Sequence, residues 1–161
     1  MQRSSHATLV KGLAGLAIVF LTLLPSAAYF FAEYTARVER LADDARVQAF
    51  VVSKLVSLNP DGWRYAAERI AAAITEVSDA QSYSAVVDLA GQELVSVGTG
   101  DAPFRIHRSV AFHDFGVEAG TVVVSSSLQR EMRVSALLAG IGALLAYVLL
   151  RLLYKQVFNP L

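Results

Sequence analysis

The 161-residue sequence has no cysteine and no excess of either charge, since 14 Lys and Arg residues balance 14 Asp and Glu residues. Without cysteine, a disulfide framework, a CxxC redox motif, a zinc ribbon and a thiol nucleophile are all excluded. Without a basic surplus, a nucleic-acid-binding domain is not expected. Only 17% of the residues are charged and the mean hydropathy is +0.47, which also argues against a disordered chain.

Catalytic motifs are missing as well. Gly98-x-Gly100 lacks the third glycine and the following helix of a nucleotide site. Asp114-Phe115-Gly116 has the letters of the magnesium-binding tripeptide of kinases, but the other kinase motifs are absent, so we predict a turn there. The chain contains neither Gly-x-Ser-x-Gly nor His-Glu-x-x-His. We therefore expect no catalysis within these residues, no cofactor and no metal site.

Two long runs carry no charge: residues 12–32, which are 21 residues, and residues 134–150, which are 17. A bilayer crossing needs about 20 apolar residues. The second run extends to Tyr154, because an arginine near a helix end, here Arg151, can reach the interface with its charged head. The sequence therefore predicts transmembrane helices at 12–32 and 134–154.

The charges are distributed unevenly around these runs. All 14 acidic residues and 10 of the basic ones lie in residues 33–133, which gives that segment a net charge of −4. The flanks carry only Arg3, Lys11, Arg151 and Lys155. Because Lys and Arg accumulate on the cytoplasmic side, we expect residues 1–11 and 155–161 in the cytoplasm and residues 33–133 outside.

A cleavable signal peptide is the alternative for the first run, with Ser26 and Ala28 as the small residues of a cleavage site. Against cleavage, the run continues through Tyr29, Phe30 and Phe31, aromatic residues that suit a membrane interface. We favour an uncleaved anchor. The segment 33–133 is outside in either case.

The exported segment opens with a helical pattern of alternating four- and three-residue spacing. This pattern predicts a seam that pairs with its copy in a homodimer or an amphipathic helix that covers its own sheet, and both can hold on different faces of the helix. The positions are Tyr34, Val38, Leu41, Ala45, Gln48, Val52 and Leu55.

A second helix is predicted from Asn59-Pro60 to about Ser78, with Asn59 as its cap. Alternating and β-branched residues then predict antiparallel strands, and Ser127 is expected to cap a helix that runs into the second span. The expected fold class is α+β: two N-terminal helices and a small antiparallel sheet between two transmembrane helices. The four strands are expected at residues 84–89, 93–97, 104–112 and 120–126.

The order of these features is familiar. An anchor and a long helix are followed by Asn59-Pro60, Trp63-Arg64-Tyr65 and a Val87-Asp88-x-x-Gly91 hairpin, and a Gly120-x-Val122-x-Val124 strand leads into a second anchor. This order resembles the periplasmic PAS-like or Cache-like input domains of bacterial diguanylate cyclases and sensor histidine kinases. The resemblance implies an inner-membrane receptor. It also implies that residues 155–161 begin a HAMP-like linker to an output enzyme, first a diguanylate cyclase and alternatively a two-component histidine kinase.

Candidate ligand-binding residues follow from charge and aromaticity. Arg105 and Arg108 offer the donors that a small anionic ligand needs. Arg108 falls on the apolar face of its strand, so it should pair with Asp88 or Glu118 or meet a ligand. The remaining candidates are His107 beside the arginines, a weak His107, His113 and Asp114 cluster, and the aromatic residues Trp63 and Tyr83.

Two functional hypotheses result. The first is a homodimeric membrane receptor that senses an unknown small molecule or periplasmic protein and shifts between two dimer arrangements. Small residues four apart in the second span, such as Ala136 and Gly140 or Gly142 and Ala146, would allow close packing of helices. The alternative is a membrane-anchored assembly protein whose outer domain binds envelope proteins.

Overall fold

A computed structural model describes residues 3–79, 82–100 and 103–158. The fold is α+β, as predicted, and its sheet has four antiparallel strands. The chain divides into two compact units, one formed by Tyr34–Gln129 and the other by the residues before and after it. The elements are α1 (Arg3–Leu58), a short 3-10 helix (Trp63–Tyr65), α2 (Ala67–Val77), β1 (Ser82–Asp88), β2 (Glu93–Val97), β3 (Arg105–Asp114), β4 (Val117–Ser127) and α3 (Gln129–Phe158).

Two helices, α1 and α3, contain segments long and apolar enough to cross a membrane. The first segment includes Pro25–Ala28, which stay helical, and large apolar side chains such as Leu13 and Leu16 are exposed. Of the predicted linker, Lys155 to Phe158 belong to α3, whereas residues 159–161 lie outside the described residues.

The two apolar segments contact each other through small and polar residues. The Ser26 hydroxyl donates a hydrogen bond to the Ser135 carbonyl at 2.7 Å, and the Ser135 hydroxyl donates to the Ser26 carbonyl at 3.2 Å. Gly142 packs so closely on the Thr22 backbone that a Cβ there would collide with it. Gly142 and Ala146 therefore face a helix of the same chain, whereas Ala136 and Gly140 remain exposed.

The sheet of the Tyr34–Gln129 unit has the strand order β2-β1-β4-β3. At one end Ser82 pairs with Ser126 and Arg105 with Ser127, and at the other Asp88 pairs with Gly120 and Asp114 with Val117. We call the second the distal end, because both hairpin turns lie there. Residues of α1, α2 and the sheet form one core, which includes Leu41, Val52, Val56, Ile70, Ile74, Val86, Val95, Phe112, Val122 and Val124.

The 4,3 pattern of α1 is the face that covers the sheet of its own chain. Leu41, Ala45, Gln48 and Val52 are at most 2% exposed. The amide of Gln48, which is unusual in an apolar seam, donates to the Ser78 hydroxyl at 3.0 Å. Of the two expectations for this pattern, the structure therefore contains the amphipathic helix, and these four residues are not available as a dimer seam.

The connection after α1 differs from the prediction. The Asn59 carbonyl accepts the N–H groups of Gly62 and Trp63, and the 3-10 helix follows, so that α2 begins at Ala67 rather than at Pro60. The predicted start was wrong because Asn59 uses its backbone to form a turn. The capping role of Ser127 is confirmed, since its hydroxyl accepts the Gln129 N–H at 3.2 Å. Phe104 precedes β3 with a positive φ of 58° instead of opening the strand.

Candidate functional site

Three predicted ligand-binding residues line one cleft in the Tyr34–Gln129 unit. Arg105, His107 and Arg108 of β3 face a cavity of about 220 Å³, which Ile106 and three residues of α1 complete. We call this cavity the arginine cleft. The α1 residues that line it are Tyr34, Val38 and Leu41.

The position of β3 explains why its neighbouring residues converge. Successive side chains of a strand point to opposite faces, and β3 is an edge strand, so a cleft along its free edge is reached from both faces. The charged residues that line the cleft are two arginines, with no carboxylate among the described lining residues. Because pockets for drug-sized ligands have about 300–1,000 Å³, this smaller cleft suits a small anion.

Arg105 is held in place by its neighbours. Its guanidinium donates to the Thr99 carbonyl at 2.8 Å and also to the Gly100 carbonyl, and it lies over the Tyr83 ring at 5.0 Å from the centroid. The Tyr83 hydroxyl donates to the Glu93 carboxylate at 3.3 Å. Within the Arg105 side chain, Nε is buried and has no hydrogen-bond partner among the described residues. Arg105 therefore fixes the loop before β3 with two of its five N–H donors.

Arg108 is the more available donor. It is exposed, so the expected cost of burying its charge does not arise. Its predicted pairing with Asp88 or Glu118 is not formed among the described residues: Asp88 accepts the Ala90 and Gln92 N–H groups at 2.8 and 2.9 Å, and Glu118 lies at the distal end. Within the described part of the chain, the Arg108 guanidinium has no hydrogen-bond or ion-pair partner, so its donors are available at the arginine cleft.

The histidines are not brought together. His107 lines the arginine cleft, whereas His113 lies six residues further along β3, about 20 Å away by strand geometry. The His113 N–H donates to the Ser53 hydroxyl at 2.9 Å. The described residues include no group of three or more His, Asp or Glu side chains that could hold a metal ion.

Trp63 belongs to the core rather than to the arginine cleft. It is 6% exposed and packs edge-on against Phe112, with ring centroids 5.4 Å apart and planes at 86°. Its remaining surface lines a second cavity of about 480 Å³ at the distal end of the sheet, which we call the distal cleft. The distal cleft is also lined by Pro60, Asp61, Arg64, Leu89, Asp114, Phe115, Val117, Glu118 and Ala119.

The sequence predictions missed the distal cleft. Its rim includes three exposed apolar side chains, with Leu89 63%, Phe115 80% and Val117 71% exposed. Phe115 and Gly116 connect β3 to β4 with φ of 45° and 86°, the signs of a type I′ hairpin turn, in which Asn, Asp or Gly is preferred. A left-handed conformation costs a residue with a Cβ about 1–2 kcal/mol. A phenylalanine directly before the turn glycine was the available sequence signal.

A third cleft, about 250 Å³ in volume, contains acidic residues of α1. Burial raises the pKa of Asp44 above its ordinary value of 3.8, and the negative charges of Asp79 and Asp43 raise it further. Arg37 and Arg40 line the same cleft, and the Arg37 guanidinium donates to the Ser126 hydroxyl at 3.3 Å. The cleft is a mixed-charge surface in which Asp44 is the perturbed group.

Comparisons with protein-family models, curated proteins and solved structures gave no significant match.

Proposed function

We propose that this chain is the sensory input region of a bacterial inner-membrane signalling receptor. Its outer domain, which we propose to be PAS-like, binds a small anion in the arginine cleft. The observation that carries the proposal is the free guanidinium of Arg108 beside Arg105 in a small cleft, on a domain flanked in the chain by two helices that suit membrane spans. The domain supplies recognition, and catalysis belongs to an output enzyme.

The location of the arginine cleft supports coupling. Tyr34, Val38 and Leu41 belong to α1, which is helical from Arg3 to Leu58 and includes the first apolar segment. An anion held by Arg108 would favour one position of α1 against β3, and a ligand shifts an equilibrium by its difference in affinity for the two states. The shift would reach the cytoplasm through the apolar segments, to a diguanylate cyclase or alternatively a histidine kinase.

The proposed topology places both termini in the cytoplasm and residues 33–133 in the periplasm. Support comes from the four basic residues that flank the apolar segments and from the net charge of −4 between them. A homodimer is also proposed. Since Leu41, Ala45, Gln48 and Val52 are buried in their own chain, the dimer contacts would use the exposed Ala136 and Gly140 face of α3, where small residues permit close approach.

The test is anion binding by the full chain in lipid nanodiscs. Inorganic phosphate, acetate, succinate and citrate are titrated separately while urea unfolding of the outer domain is followed by fluorescence of Trp63, the single tryptophan. An anion present at 100 times its Kd should stabilise the domain by about 2.7 kcal/mol. Stabilisation by none of the four at 10 mM would contradict the proposal.

Arg108→Gln provides the specific control. A hydrogen bond to a charged group contributes about 1.5–3 kcal/mol, so the variant should weaken binding roughly ten- to hundredfold. Arg64→Gln removes an exposed arginine outside the arginine cleft and should leave the Kd unchanged. Equal losses in the two variants would show that the anion responds to net charge and not to this site.

A membrane-anchored assembly protein is the second candidate. The exposed Leu89, Phe115 and Val117 favour it, because apolar side chains grouped on a surface are typical of protein contacts. It differs from the receptor in predicting that none of the anions stabilises the outer domain. It also predicts that Arg108→Gln has no effect on the domain's contacts with other proteins.

A further inference from the structure

The distal cleft combines apolar groups from two hairpin turns. Leu89 follows β1, Phe115 lies in the turn between β3 and β4, and Val117 directly follows that turn; all three line the same cavity. Phe115 is 80% exposed although its φ of 45° is unfavourable for a residue with a Cβ. Residues with a strained backbone conformation cluster at functional sites. The turn thus presents an aromatic ring to solvent at the end of the sheet opposite the arginine cleft.

The charge of the distal cleft restricts its occupant. Among the described lining residues there are three carboxylates, Asp61, Asp114 and Glu118, and one arginine, Arg64, so their formal charges sum to −2. Arg64 lies over the Trp63 ring, 5.6 Å from its centroid. Oδ1 of Asp114 is buried and has no hydrogen-bond partner among the described residues. The cleft therefore offers acceptors to a cation next to an apolar rim.

We propose that the distal cleft docks a partner protein through a segment in which Lys or Arg neighbours a large apolar side chain. The apolar side chain would pack on Phe115 and Leu89, while the cation would meet Asp114 and Glu118. Aromatic anchors beside charges typically dominate protein interfaces. Because the ring of Phe115 is held by a two-residue turn, docking would order little additional chain.

Two other occupants fit the charge less well. In a symmetric dimer the same patch of both copies meets, so the three carboxylates of each copy would face those of the other, and like charges disfavour such contact. An anionic lipid surface would meet the same repulsion. A partner protein that supplies a cation would neutralise the negative charge of the distal cleft. A second copy of the chain or an anionic lipid surface would leave that charge uncompensated.

The proposal concerns a surface separate from the arginine cleft and does not rest on the proposed sensory function. The test uses the full chain in nanodiscs of neutral lipid. The probes are peptide arrays in which Trp or Leu neighbours Lys or Arg, with matched peptides that carry Glu in place of each basic residue. We expect basic peptides to bind at least tenfold more tightly than their acidic counterparts.

Variants then locate the binding. Phe115→Asn should reduce binding of the basic peptides about tenfold, and Glu118→Lys should reverse the charge preference. Phe104→Asn is the matched control, since Phe104 is also exposed, at 64%, and also has a positive φ, but does not line the distal cleft. Arg108→Gln should leave peptide binding unchanged, and Phe115→Asn should leave anion binding unchanged. Failure of one proposal is thereby separated from failure of the other.

Three results would overturn the docking proposal: equal binding of basic and acidic peptides, equal effects of Phe115→Asn and Phe104→Asn, or self-association of the chain that disappears in Phe115→Asn. The last would identify a second copy as the occupant. Trp63 fluorescence monitors folding of each variant, so loss of peptide binding is assigned to the cleft only where the urea midpoint is retained or raised. If Phe115→Asn lowers the midpoint, the charge reversal expected of Glu118→Lys decides the question, and its absence overturns the proposal.

Discussion

Replacing Val52 by Ala should destabilise the outer domain strongly, because Val52 is 0% exposed on the face of α1 that covers the sheet. Two buried carbon atoms are removed, with a transfer free energy of about 0.8 kcal/mol each. The cavity that remains raises the total to about 2.5 kcal/mol. Val47, on the same helix but 50% exposed, provides the matched control, and Val47→Ala should change stability by less than about 0.5 kcal/mol.

The assay is urea unfolding of the full chain in nanodiscs, followed by tryptophan fluorescence. The single tryptophan, Trp63, is buried against Phe112 in the outer domain and therefore reports that domain alone. With a slope of about 1.2 kcal/mol per M for a domain of this size, Val52→Ala should lower the midpoint by about 2 M. Equal shifts for Val52→Ala and Val47→Ala would refute the packing of this face on the sheet. A shift that depends on protein concentration would indicate the dimer seam instead.

Three further outcomes are expected. Phe115→Asn should increase the free energy of unfolding by about 1 kcal/mol, because Asn accepts a positive φ more readily; a lowered urea midpoint would refute strain at this turn. Asp44→Asn should stabilise the domain at pH 7 and not below pH 3.8, because the pKa of Asp44 is raised by burial, Asp79 and Asp43. As the pH falls, Asp44 is therefore protonated at a higher pH in the native state than in the unfolded state. Equal effects of Asp44→Asn at pH 7 and below pH 3.8 would contradict this. Ser26→Cys and Ser135→Cys, introduced together into a chain without native cysteine, should form a crosslink. Gly142→Leu should abolish this crosslink, because a Cβ at that position meets the Thr22 backbone. Gly140→Leu should leave the crosslink intact, because a Cβ at that position meets nothing.

Local patterns predicted the strands well. The strand from Glu93 to Val97 matches its predicted range, because β-branched residues and turn signals at both ends define it. The last strand begins at Val117, three residues before the expected Gly120, since the hairpin turn is only Phe115 and Gly116. Alternation along a strand specifies faces, but it does not show where a tight turn ends.

Tertiary partners were less accessible to sequence reasoning. A 4,3 spacing arises whether a helix packs on its own sheet or on a second copy. Only the folded structure shows that Leu41 and Val52 are buried within their own chain. Arg105, His107 and Arg108 could be grouped because they are neighbours on one strand. Trp63 was grouped with them by residue type alone, and its packing on Phe112 places it at the other end of β3.

The central proposal is that an anion at Arg108 changes the helices that leave the outer domain. The most direct measurement is the rate at which maleimide labels Lys155→Cys, near the end of α3, with and without the anion that stabilises the domain. The proposal predicts a change in rate that follows the anion's binding curve and disappears when Arg108→Gln is added. An anion that binds and leaves the labelling rate unchanged would contradict it.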